Sequence, residues 1–152
     1  MARKEKIRPP SQIEYPQITS GGFRFFQQIA ERLNYGALFV PRGDPSAADW
    51  VLAALSTDGA YHTLNVSAIV KCVATAIYVR LGVSADTAGR ILTLRKLGNS
   101  NQINILRVVT QVAGVTVHVA GIVPITLAGD FEYNATSATW DAITIEVCGW
   151  FV

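Results

Sequence analysis

Charge is scarce in this chain. Asp, Glu, Lys and Arg make up only 16% of its 152 residues, against about 25% in ordinary globular proteins. Cysteine and histidine are also few. Cys72, Cys148, His62 and His118 make neither a disulfide framework nor a metal-ligand set, and the thiols are expected reduced and buried on strands. No metal or other cofactor is expected. Apolar runs are short too: Asn, Thr, Arg or Gly interrupts them well before the ~20 residues that a membrane helix needs. No apolar segment follows the basic start Met1-Ala2-Arg3-Lys4-Glu5-Lys6, so it does not read as a secretory leader, and synthesis in a cytoplasm is expected. Half of the residues are hydrophobic, which excludes disorder over the whole length.

The few charges are placed unevenly. Residues 1–32 hold six basic side chains against three acidic ones, and the other 120 residues hold seven against eight. A basic segment therefore precedes a nearly neutral, apolar body. Residues 1–22 read as an extended arm, because Pro9, Pro10 and Pro16 forbid regular helix and Gly21-Gly22 ends the segment. Arg3, Lys4, Lys6 and Arg8 give the arm its charge, and Ile7, Ile13, Tyr15 and Ile18 give it apolar anchors. A solvated tail needs no such anchors, so the arm is expected to lie against something, for example a neighbouring subunit. Residues 23–35 follow as a short helix and linker, with Phe25, Phe26, Ile29 and Leu33 at helical spacing.

From residue 36 onward the pattern changes to alternation. Strands are expected at 37–40, 50–55, 61–66, 74–83, 90–97, 103–112, 115–119, 122–127, 131–133 and 143–152, with turns such as Asp58-Gly59, Asp86 to Gly89 and Gly98 to Asn101 between them. Ile143, Ile145, Val147 and Phe151 are placed on one side of the last strand, which is expected inside its sheet. Many short strands at near-regular spacing without helices signify an all-β sandwich. The expected fold of residues 36–152 is a jelly-roll-like two-sheet β-sandwich, with an immunoglobulin-like sandwich as its nearest rival.

Catalytic patterns are lacking. There is no Gly-x-Ser-x-Gly elbow, no phosphate-binding loop and no His-Glu-x-x-His helix. His62 and His118 sit at strand positions, and Asp130 with Glu132 beside a turn reads as a solvated acidic pair rather than a glycosidase pair. The chain is read as no enzyme. Arg42-Gly43-Asp44 spells an integrin-binding tripeptide but reads as a polar turn between Pro41 and Pro45. Asn65-Val66-Ser67 and Asn134-Ala135-Thr136 match the glycosylation pattern and are expected to stay bare. The arm's small basic footprint, with no basic stripe in the body, makes nucleic acid an unfavoured partner, and no membrane partner is expected.

The charge deficit says more. Strands at Trp50 to Leu55, Ile91 to Leu94 and Ile105 to Val109 are apolar on both faces, as strands covered on both sides are. A single sandwich covers one face of each sheet, so the other is expected against copies of the same chain, as a homotrimer or similar homo-oligomer.

The stretches Tyr61-His62-Thr63-Leu64-Asn65-Val66-Ser67-Ala68-Ile69-Val70, Ala74 to Leu81, Leu94-Arg95-Lys96-Leu97-Gly98-Asn99-Ser100-Asn101 and the closing Trp140 with Gly149-Trp150-Phe151-Val152, preceded by Pro41 to Pro45, resemble a β-domain of bacteriophage-like virion decoration and head-fibre proteins. Lys71-Cys72-Val73 departs from that pattern, where a Pro- or Gly-containing turn is expected. The resemblance covers residues 36–152 and implies a virion structural role with no catalytic residues, in a particle assembled in a host cytoplasm. The arm, with Phe23 and Phe26, would attach the domain to the major capsid protein or another virion protein. The alternative is a receptor-binding tail-fibre knob, whose loop residues Asp86, Asn99, Asn101, Asn134 and Trp140 would bind a surface glycan.

Overall fold

A computed structural model of the protein describes residues 38–70, 73–101 and 103–152. The expected arm, the short helix and Cys72 lie outside the described residues.

Alternation of apolar and polar residues builds the strands. In β4 (Ala76–Ala85), Ile77, Val79, Leu81 and Val83 are fully buried while Tyr78 and Arg80 are exposed. In β8 (Asp130–Ala135), Phe131, Tyr133 and Ala135 alternate with half-buried polar residues in the same way. The remaining strands are β1 (Phe39–Pro41), β2 (Trp50–Val51), β3 (Tyr61–Asn65), β5 (Ile91–Lys96), β6 (Ile105–Val109), β7 (Val117–Pro124) and β9 (Trp140–Phe151).

The strands form two antiparallel sheets, β1-β9-β4-β7 and β3-β8-β5-β6, with β2 also paired to β9. Counted as one broken strand, β1 and β2 make the first of eight, and the orders become 1-8-3-6 and 2-7-4-5. That interleaving, in which the chain crosses between sheets at nearly every connection, is the jelly roll. β9 lies inside its sheet, between β1/β2 and β4. Between the sheets sit Ile77, Leu81, Leu92, Leu94, Phe131, Ile143 and Ile145, all without solvent exposure or nearly so. Phe131 meets Trp50 edge-on, with centroids 5.7 Å apart, so the second sheet packs directly against the broken first strand. Truncating such a side chain to alanine costs about 3–5 kcal/mol.

Four expectations need correction. Trp50 to Leu55 is a strand only as far as Val51. Leu52 to Ala54 is a 3-10 turn closed by Leu55 N–H to Leu52 O, and the apolar spacing of three sends Leu52 and Leu55 to the core. Strands 115–119 and 122–127 are one, since β7 runs unbroken through Gly121. That glycine faces inward, where the Leu106 Cδ1 lies only 2.6 Å from the place of a Cβ. Asn134 and Ala135 belong to β8 rather than to a loop.

The fourth correction concerns Phe151. Tyr78 faces Gly149 while Val79 faces Val147, which leaves Cys148 as an extra residue in β9. This bulge resets the alternation. Trp150, opposite Ile77, packs against the core, and Phe151, opposite Ala76, turns to the outer face.

Candidate interaction surface

Strand register determines which residues share the outer face of the first sheet, because cross-strand partners project to the same side. One row across β1, β9, β4 and β7 contains Phe39, Phe151, Ala76 and Pro124, and the next contains Pro41, Gly149, Tyr78 and Ile122. The aromatic rings in these rows touch. Phe39 lies 5.1 Å from Phe151 and 6.2 Å from Tyr78, centroid to centroid. Gly149 makes room for them, since a Cβ there would stand 2.4 Å from Phe39 Cζ. Phe39, Tyr78 and Ile122 remain 41%, 36% and 55% exposed. Beyond these rows come the Arg80–Glu146 ion pair at 3.7 Å, then Thr144, Gly82 and His118.

The second sheet's outer face differs. Arg95 donates to Glu132 at 2.7 Å, and its guanidinium lies over the Tyr61 ring at 3.3 Å. Thr63, Asn134 and Arg107 surround this group, with Ile91, Ile105 and Val109 half-buried at its margin. Of the stretches expected to be apolar on both faces, 50–55 exposes Val51, 91–94 and 105–109 hold the half-buried Ile91, Ile105 and Val109, and the exposed apolar side chains Phe39, Tyr78 and Ile122 lie on β1, β4 and β7.

The two ends of the sandwich also differ. At one end the loops are tied together by backbone: Gly59 N–H to Ala135 O at 3.0 Å, Gly89 N–H to Thr110 O at 2.8 Å, Gly114 N–H to Ala85 O at 2.8 Å and Thr136 N–H to Ile91 O at 2.9 Å. The exposed Val112 and Val115 are also at this end. His62 donates to Asp58 at 2.8 Å, and its ring lies 5.6 Å from that of Tyr133, tilted by 33°. That bond, with Ala60 N–H, holds the Asp58 carboxyl below the usual carboxylate range. At the opposite end, where the preceding chain joins at Leu38, the exposed apolar residues are Leu38, Val73, Ile103 and Leu127. A hollow of about 50 Å³ there is lined by Val66, Val70, Ala74, Ile125 and Leu127, among others.

The loop residues expected to bind a ligand do not come together. Asp86 is at the tied end and, among the described residues, accepts from the hydroxyl of its neighbour Thr87 at 2.7 Å. Asn99 and Asn101 line the Gly98–Asn104 hollow at the opposite end. Asn134 is in mid-sheet and donates to the Gly59 carbonyl. Trp140 is buried, its indole N–H held by Thr136 O at 2.9 Å, so it offers no face for a sugar to stack on. The attachment residues Arg3, Lys4, Lys6, Ile7, Arg8, Ile13, Tyr15, Ile18, Phe23 and Phe26 lie outside the described residues.

The polar motifs are absorbed by the fold. Arg42 is paired with Asp49 and donates to Val147 O at 3.1 Å, so the tripeptide's cation holds the interrupted first strand to β9. Asp130 bonds Asn65 and Thr126, whereas Glu132 bonds Arg95; the two carboxylates work apart. Among the described residues no group of three His, Cys, Asp or Glu is placed to hold a metal ion, and no helix is long and apolar enough to cross a membrane.

What sequence reasoning missed is the Phe39–Tyr78–Phe151–Ile122 surface, because the bulge at Cys148 hides Phe151's true face. A signal was present: Gly149 in a strand interior marks a bulge or a close approach. No protein-family model, curated protein or solved structure matches the chain.

Proposed function

We propose that this protein is a structural component of a bacteriophage-like particle, a decoration or head-fibre subunit that self-associates through its β-domain and is fastened by its N-terminal segment. The observation that carries this reading is the touching group Phe39, Tyr78 and Phe151 beside Ile122 on the outer face of a jelly-roll sheet. Exposed apolar patches of this kind mark interfaces in soluble proteins. The jelly roll supports the reading by analogy, since capsid domains use it, as lectins and cupins do.

Attachment is tested with the full chain and a variant lacking residues 1–22, each mixed with undecorated particles. The full chain should bind to saturation. The shortened chain should keep the oligomeric mass of the full chain and bind no particles. Full occupancy by the shortened chain would refute the role of the arm.

A receptor-binding knob is the second reading. Its support is the polar hollow of Asn99, Ser100, Asn101 and Asn104. Glycan-array binding that is lost in Asn101→Ala would favour it over the first.

A further inference from the structure

Within the sandwich, β7 is an edge strand of the first sheet, and among the described residues nothing pairs with its outer side. Natural edges are blunted by charge, proline, bulges or short length. The other edges here follow that rule. Pro41, Gly43 and Pro45 interrupt β1/β2, while β3 and β6 are five residues each and β6 carries Arg107. β7 is different. It runs for eight residues with no Asp, Glu, Lys or Arg, its only proline is the last residue, and its pairing with β4 has no register shift.

Ladder geometry shows which groups are free. Ile125 N–H donates to Thr75 O at 3.1 Å, one step beyond the Ala76–Pro124 pair. Antiparallel bonding alternates along a strand. Val123, Gly121, Val119 and Val117 therefore spend their backbone groups on β4. His118, Ala120 and Ile122 turn theirs to the open edge, and all three are exposed.

We infer that this edge is a two-fold contact between copies of the chain, β7 pairing antiparallel with β7 of a second copy about an axis at Ala120. The spacing is self-complementary. Ala120 meets Ala120 of the copy, and His118 meets Ile122 in both directions, so every free donor and acceptor of the three residues finds a partner. No acidic or basic side chain on the strand opposes a like charge, and the Arg80 nearest the axis already has Glu146. The pairing also joins the outer faces of two sheets, carrying the Ile122 and Tyr78 surface across the axis.

This inference names the contact behind the self-association proposed above and rests on that reading. A two-fold makes even-numbered assemblies, so the threefold expected from composition would appear only as half of a hexamer.

Residues facing one another in a hydrogen-bonded antiparallel pair have Cα atoms about 5.5 Å apart, within disulfide reach. Ala120→Cys in the full chain should therefore form a disulfide-linked dimer under mild oxidation. The unaltered chain, with Cys72 and Cys148, and Thr63→Cys on the other sheet should give only background. In parallel, Ala120→Pro removes the central donor at a position where an edge strand tolerates proline. It should weaken association roughly tenfold or more with an unchanged circular dichroism spectrum. Should Ala120→Pro fail to fold, Ala120→Lys, which sets two ammonium groups against each other at the axis, provides the same comparison. Cross-linking of Ala120→Cys no greater than background, or an oligomer of unchanged affinity in the folded edge variant, would overturn the edge pairing while leaving self-association intact. A chain that is monomeric at every concentration would overturn both.

Discussion

Adding one methyl group at Gly149 tests how the aromatic surface is built. A Cβ there would stand 2.4 Å from Phe39 Cζ, 2.7 Å from Phe39 Cε2 and 2.7 Å from the Val40 carbonyl oxygen. The ring can swing aside, but the carbonyl belongs to the backbone of β1, so the strand itself must move. Overpacking of this kind costs about 1–3 kcal/mol, and the stiffer unfolded chain returns about 0.4–1 kcal/mol. The net loss is about 1–2 kcal/mol. Unfolding entropy of roughly 2.1 cal/mol/K per residue over a body of about 115 residues converts this to a fall in Tm of about 4–8 °C. Gly121→Ala is the control, because the atoms nearest its Cβ belong to the Leu106 side chain, with the flexible Cδ1 at 2.6 Å. Thermal unfolding by circular dichroism gives both values. Hydrogen exchange at Leu38 and Val152, which bond each other across β1 and β9, should speed up in Gly149→Ala alone. Equal Tm values for the two variants, or unchanged exchange in Gly149→Ala, would refute the close approach of Phe39 and β1.

Two further predictions concern the polar contacts. Arg42→Ala leaves the Asp49 carboxylate, almost fully buried, with Val147 N–H at 2.8 Å as its remaining partner among the described residues; chemical denaturation should show a loss of about 1–3 kcal/mol. Asp58 is stabilised in its charged form by His62 and Ala60, so its folded pKa lies below its unfolded one. The linked stability is present above the unfolded value and is lost as pH falls through the folded value. An NMR titration should place the Asp58 midpoint below that of a free aspartate, and His62→Gln should raise it.

Much of this fold is legible in the sequence, because a core between two sheets imposes a period of two. β4 and β8 show that period plainly, and the turn glycines Gly59, Gly89, Gly98 and Gly129 adopt the positive φ that turns favour. Legibility fails where one residue changes the period. Cys148 resembles any strand residue, yet it turns Phe151 outward and Trp150 inward. Gly121 suggests a break but serves a Leu106 contact from another strand. Leu52 and Leu55 read as strand because a short apolar run does not distinguish a period of two from one of three. The aromatic patch on the outer face escaped for the same reason: it is assembled from four strands distant in sequence, and its register depends on the bulge.

Sedimentation velocity of the full chain over a wide concentration range tests whether this jelly roll associates with copies of itself. A discrete oligomer that dissociates on dilution or persists throughout is the expected result. A single species of 16.4 kDa at every concentration would contradict it.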